Sequence, residues 1–252
     1  MDTYAGRVAV ITGASRGLGA GLAARFAEVG FRLGLCARTQ PRASFESVDP
    51  PECASVDVTD HAAVKRFCDR VVDRFGQIDL WVNNAGLLHP IGPLRSADPE
   101  DAARLMAVNV TGVMHATAVF ADHVRSHPGG GVLINMSSGA ATTPYAGWAP
   151  YCASKAAVDQ LTRTVALEER EHGLAAYAVS PGLVDTDMQA LIRSTTPENF
   201  PAVDRFLQIK ESDAFNSPAW VADQLLALAF AVPAPDQVVV RIPDQPAPGR
   251  AQ

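Results

Sequence analysis

Short apolar, β-branched runs alternate along this chain with segments of helical period. Residues 7–12 (RVAVIT) form a buried-strand run that ends in glycine. In residues 17–29, Leu18, Leu22, Phe26 and Val29 recur at helical spacing. Residues 31–37, 55–58, 80–83, 131–136, 175–180 and 236–242 read as further strands. Residues 60–75, 99–126, 151–172 and 220–231 read as helices. Residues 39–55 break the alternation. Pro41, Pro50 and Pro51 and the absence of a period predict a loop or a degraded helix there, where a crossover helix would be expected.

Strands alternating with long helices imply a parallel sheet covered on both faces. Right-handed crossovers make it a doubly wound α/β sheet of about seven strands, a single-domain Rossmann fold spanning the chain, with ligands at the carboxyl ends of the strands. Residues 186–218 turn helical, polar and proline-punctuated, and they read as a lid over the substrate. The tail 243–252 holds Pro243, Pro246 and Pro248 and is expected to be frayed or an interface arm.

Composition narrows the function classes. Of 252 residues, 48% are hydrophobic and 19% charged, enough to build a core and too apolar for disorder. Twenty-seven acids against 21 bases give a net charge of −6, and no basic block stands out, so nucleic acid is not an expected partner. No apolar run reaches about 18 residues, so no membrane span is expected. Residues 1–4 run into the first strand without the basic and apolar regions of a signal peptide. Cys36, Cys53, Cys68 and Cys152 have no C-x-x-C spacing and read as reduced thiols of a cytoplasmic protein. The six histidines show no metal spacing, and no metal is expected.

The first strand–helix junction reads Thr12-Gly-Ala-Ser-Arg-Gly-Leu-Gly19. Gly13 permits a tight turn, while Gly17 and Gly19 let the backbone approach a pyrophosphate at the helix N-terminus. Gly13, Ser15, Arg16, Gly17, Leu18 and Gly19 are therefore candidate cofactor contacts. The spacing G-x-x-x-G-x-G resembles that of the short-chain dehydrogenase/reductase family. An NAD enzyme of this fold places an acid at the end of the second strand; here Ala37 stands there, followed by Arg38. Arg38, Arg16 and Ser15 converge in this reading on the 2′-phosphate of NADP(H), a dianion suited to forked donors.

Tyr151 and Lys155 stand at i and i+4 on one helix face, where an ammonium would stabilise a phenolate and lower the tyrosine pKa. The resemblance extends through the chain and implies roles for further residues. Ser138, thirteen residues before Tyr151, matches the serine that orients a substrate carbonyl. Asn109 matches a helix asparagine that links the lysine to solvent. Asn83-Asn-Ala-Gly86 matches the family's N-N-A-G. Asn84 is expected to tie neighbouring strands, and Asn83, Ala85 and Gly86 to border the cofactor. Asp57-Val58 matches the pair at the adenine ring. Pro181, Gly182, Val184 and Thr186 match the segment at the nicotinamide carboxamide.

The implied reaction is NADPH-dependent reduction of a small-molecule carbonyl compound, with Asn109, Ser138, Tyr151 and Lys155 as the catalytic set. Residues 147–148 and 186–210 resemble the branch of sepiapterin and benzil reductases, which reduce vicinal dicarbonyls. Trp148, Met188, Leu191, Ile192 and Phe200 would form an apolar wall over an aromatic dicarbonyl, or else serve as ordinary core contacts. Asp244 lies near the place where the sepiapterin enzymes anchor a pterin. The alternatives are a 3-oxoacyl-carrier-protein reductase or secondary alcohol dehydrogenase, whose V-D-G-G C-terminus is missing here, and a catalytically idle NADP-binding regulator. The family's assembly through its two long helices implies a homodimer or homotetramer through 99–126 and 151–172.

Overall fold

The computed structural model describes residues 4–42, 45–47 and 49–246. The expectations for the first three residues, and for the tail from 247 onward, fall outside these. Seven parallel strands form one sheet: β1 (Val8–Thr12), β2 (Arg32–Ala37), β3 (Glu52–Ser55), β4 (Leu80–Asn83), β5 (Gly131–Met136), β6 (Leu174–Ser180) and β7 (Val239–Arg241). Their spatial order is β3-β2-β1-β4-β5-β6-β7, which reverses direction between β1 and β4. That reversal opens a crevice at the carboxyl ends of these two strands.

The described residues form eight α-helices: α1 (Gly17–Glu28), α2 (His61–Phe75), α3 (Pro99–Met106), α4 (Gly112–Ser126), α5 (Ala149–Glu169), α6 (Asp187–Arg193), α7 (Val203–Glu211) and α8 (Pro218–Ala229). Alternate residues of each strand feed opposite layers. Ala9, Ile11, Leu33 and Leu35 pack with Leu22 and Phe26 of α1 and Val221 and Leu225 of α8. Val8, Val10, Trp81 and Leu133 pack with Phe67 and Val71 of α2 and Phe120 and Val124 of α4. Both faces are dry: β1 is buried at every position and apolar at all but its last, Thr12. A third apolar cluster, with Leu88, Leu105, Trp148, Ile192, Phe200 and Phe206, joins α6 and α7 to the start of α5.

The structure differs from the sequence reading at several points; the last strand, for one, is Val239–Arg241 and not residues 236–242. The third strand is Glu52–Ser55, not residues 55–58: parallel pairing of Cys36 with Ala54 and Ala37 with Ser55 exhausts β2 before Val56. Val56 and Val58 are apolar because they are buried at the strand's exit, not because they extend it. The connection from β2 to β3 carries no helix among its described residues, as the prolines predict. The helix over 99–126 is continuous but contains a π-helical turn, Ala107–Thr111, between α3 and α4. That same helix is, by length and mean composition, apolar enough to cross a membrane, although it holds no uninterrupted apolar run of that length. Its apolar side is occupied by the sheet and α2, through Ala116, Val119, Phe120 and Val124.

Candidate active site

A cleft of about 930 Å³ runs along the carboxyl ends of the central strands. Its floor is the glycine turn between β1 and α1. Gly13 and Gly17 have φ of +67° and +56°, which side chains rarely adopt. A Cβ on Gly13 would lie 2.8 Å from the Cα of Ala85, and one on Gly19 would strike the Gly13 carbonyl. The turn is pinned to β4: Asn84 Nδ2 donates to the carbonyls of Thr12 (3.0 Å) and Gly13 (3.2 Å), and Thr12 Oγ1 accepts the Asn84 and Ala85 amides at 3.1 Å. Ser15, Arg16, Gly17, Leu18, Gly19, Ala85 and Gly86 all line the cleft. The cradle left by the missing side chains fits a dinucleotide's pyrophosphate.

Asn83 does not reach this cleft. As the last residue of β4 its side chain turns into the layer beneath α4 and α5. It accepts the Trp81 indole N–H at 2.9 Å and donates to Asn135 Oδ1 at 2.9 Å, and Asn135 in turn donates to Thr162 at 2.9 Å. The strand-tying amide is thus Asn83, while Asn84 ties β4 to the turn.

Ala37, Arg38, Asp57 and Val58 form the end of the cleft beyond the glycine turn. Ala37 presents only a methyl group. The Asp57 carboxylate accepts the Thr59 amide at 2.9 Å and the Thr59 hydroxyl at 2.8 Å. These bonds, with Arg38 and Arg104 nearby, hold it below the usual carboxylate range. Arg38 is exposed at the rim. Arg16 reaches across the cleft and pairs with Asp187 on α6 at 2.7 Å.

Tyr151 and Lys155 project from the first turns of α5 into the middle of the cleft, opposite Ser138 at the end of β5. Both are buried, at 7% exposure. Lys155 Nζ donates to the Met136 carbonyl at 2.8 Å and lies 5.7 Å from the Tyr151 ring centre. Burial pulls the Lys155 ammonium down to about 8, with Asp159 opposing the shift. Burial pushes Tyr151 up to about 12, against the Ser138 hydroxyl, which lowers it. The lowering expected from the ammonium is not found: removal of the phenolate from water raises the pKa, and the Ser138 hydroxyl is the group that opposes it. The Ser137 hydroxyl beside it donates to Asp159.

Asn109 sits in the π-helical turn and is buried behind the cleft. Its Oδ1 accepts the Leu87 amide at 2.7 Å, and its Nδ2 donates to the Leu87 carbonyl at 2.8 Å and to Ser154 at 3.1 Å. It reaches the reaction centre only across Gly86. A Cβ on Gly86 would lie 3.5 Å from Asn109 Oδ1 and 3.9 Å from Lys155 Nζ, so the glycine leaves a narrow space between the two groups.

Pro181, Gly182, Val184 and Thr186 line the far wall, and Met188 and Ile192 of α6 continue it. Trp148 also lines it, stacked on Phe200 with centroids 4.4 Å apart and planes 10° apart. Phe200 itself is fully buried behind Trp148, and Leu191 faces outward with 39% exposure, so neither forms the wall. Phe206 and Ile209 of α7 do line it and were not singled out in the sequence. Their signal was present: Val203, Phe206 and Ile209 recur at i+3 within the lid. Asp244 lies outside the cleft lining, 3.6 Å from Arg241, and His89 bonds Asp101 at 2.9 Å away from it. The four cysteines are free, and no cluster of metal-ligating side chains occurs among the described residues.

The family model for short chain dehydrogenases matches residues 7–197. A benzil reductase that forms (S)-benzoin, from Bacillus subtilis, is 33% identical over 225 residues, covering 87% of this chain and 91% of its own. A 3β-hydroxysteroid dehydrogenase from Eggerthella lenta is 33% identical over 232 residues, 88% of each chain. The crystal structure of the KRED1-Pglu enzyme superposes with a TM-score of 0.79 at 30% identity, covering 92% of this chain and 98% of that one. The glycine cradle, the Ser138–Tyr151–Lys155 cluster and these matches agree: the chain belongs to the short-chain dehydrogenase/reductase family of oxidoreductases, in its benzil-reductase-like branch.

Proposed function

We propose that this protein is an NADPH-dependent carbonyl reductase that converts ketones, and vicinal dicarbonyls in particular, into alcohols or hydroxyketones. The observation that carries this reading is the meeting of Ser138, Tyr151 and Lys155 in one cleft whose substrate wall is aromatic and aliphatic: Trp148, Met188, Ile192, Phe206 and Ile209. Such a wall favours an aryl or alkyl ketone over a sugar.

The cofactor supplies a hydride from its reduced nicotinamide. Gly13, Gly17 and Gly19 admit its pyrophosphate, and Pro181, Gly182, Val184 and Thr186 border the nicotinamide end. Asp57 and Val58 border the adenine. Arg38, Arg16 and Ser15 recognise a 2′-phosphate, and Ala37 presents no carboxylate to repel it. Ser138 Oγ donates to the substrate oxygen. Tyr151, protonated across the physiological range, gives its phenolic proton to the developing alkoxide, and the Lys155 ammonium stabilises the phenolate left behind. Lys155 also has donors to spare for the nicotinamide ribose. Asn109 bounds the space beside Lys155 Nζ through which a proton returns from solvent.

The family resemblance supports a homodimer or homotetramer, and four free thiols support a cytoplasmic setting. The test is a panel of 1,2-diketones, monoketones, pterins and 3-oxoacyl thioesters, offered with NADPH and with NADH. Fastest turnover of an aromatic 1,2-diketone with NADPH supports the reading. Preference for acyl thioesters, or for NADH, contradicts it.

A further inference from the structure

The glycine turn and the lid touch each other directly. Arg16, the residue that caps α1, pairs with Asp187, the first residue of α6, at 2.7 Å, and both line the cleft. Beneath the pair, a Cβ on Gly17 would meet the Thr186 methyl group at 3.4 Å, so the backbone of the turn seats the start of the lid. Asp187 and Asp57 are the acids that line the cleft, and the Asp57 carboxylate is already held by Thr59. The same short helix carries Met188 and Ile192 onto the substrate wall.

Arg16 therefore has two claimants: the Asp187 carboxylate and, on the reading above, a 2′-phosphate. The phosphate carries close to two charges and three acceptor oxygens, against one charge and two oxygens on the carboxylate. We propose that Asp187 is a specificity-determining residue of the cofactor site. It competes for Arg16 from the lid, so binding a 2′-phosphorylated nucleotide withdraws Arg16 from Asp187 and releases the first turn of α6. A nucleotide without the 2′-phosphate leaves the pair intact. Lid and cofactor identity are thereby coupled, and the coupling is reciprocal. The inference rests on Arg16 binding the 2′-phosphate.

Calorimetric titration with 2′,5′-ADP and 5′-AMP separates the possibilities. In Asp187→Asn, 2′,5′-ADP should bind about two- to fivefold tighter, the factor that an exposed ion pair is worth, with 5′-AMP unchanged. In an Arg16→Gln background the same substitution should have no effect; a gain that persists there means general charge repulsion and overturns the swap. Hydrogen exchange over residues 187–193 should quicken when 2′,5′-ADP binds the wild type and stay unchanged with 5′-AMP. Wild-type discrimination between the two nucleotides, with no change in Asp187→Asn, contradicts the swap alone. Equal binding of the two by the wild type contradicts both the swap and the NADPH reading.

Discussion

Lys155 stands one helical turn from Tyr151, yet its Nζ is committed to the Met136 carbonyl at 2.8 Å and lies 5.7 Å from the phenol ring centre. The pair is buried together, and burial moves the two groups in opposite directions, Lys155 to about 8 and Tyr151 to about 12. The proton donor thus stays protonated at every working pH, and the ammonium is the group that titrates. The pH profile of kcat/KM for carbonyl reduction should fall on its alkaline side near pH 8, as Lys155 loses its charge. A limb at 10 or above assigns the step to another group.

The same burial makes Lys155 costly to the fold. Its folded pKa lies below the unfolded value, so between pH 8 and 10.5 the unfolded chain binds the extra proton and wild-type stability rises with pH. Lys155→Met keeps the length of the side chain and removes the charge. It should gain about 1–2 kcal/mol at neutral pH, or roughly 2–8 °C in Tm, while turnover collapses. Thermal unfolding at pH 7 and at pH 10 checks this: the advantage should shrink at the higher pH. A variant less stable than wild type at pH 7 refutes the assignment of strain to this site.

Asn83 and Asn84 should separate cleanly on substitution. Asn83→Ala leaves the Trp81 indole N–H and an Asn135 amide group without partners in a dry layer, a loss of about 2–4 kcal/mol in denaturant unfolding. Its nucleotide affinity, measured on the folded fraction, should not change. Asn84→Ala frees the glycine turn from β4 and should weaken NADPH binding several-fold with a smaller loss of stability. Equal effects of the two changes on affinity would refute the division of labour.

Arg38→Asp puts a carboxylate one residue beyond the strand-end position where the fold's NAD enzymes carry an acid, and removes one fork from the proposed 2′-phosphate site. NADPH should bind about ten- to a hundredfold more weakly, and NADH no worse than before. Direct titration of both dinucleotides decides it. An unchanged preference takes Arg38 out of the site.

Much of this architecture is legible in the residues. The alternation of apolar runs with helical periods yields a parallel sheet, because strands dry on both faces must be apolar throughout. The glycine turn and the Tyr151–Lys155 pair are local, so sequence spacing alone places them. What escapes is non-local. The end of β3 depends on where its partner β2 stops, not on the valines at 56 and 58. The strand parity that turns Asn83 inward and leaves Asn84 at the cleft depends on register with β5. The π-helical turn at Asn109 spans only five residues between two regular helices, too short to stand out in the hydrophobic pattern. Phe206 and Ile209 reach the substrate wall only because the lid folds back over Trp148, and the same folding buries Phe200 and exposes Leu191. The Tyr151 pKa runs opposite to expectation because sequence shows the neighbouring charge and not the burial.

In the proposed reaction Tyr151 delivers the proton to the carbonyl oxygen as NADPH is consumed. The most direct test of this step is the Tyr151→Phe variant, assayed for NADPH consumption on the best 1,2-diketone and, in parallel, for NADPH affinity. The kcat should fall at least about a hundredfold with affinity unchanged. A variant that retains wild-type turnover would contradict this role for Tyr151.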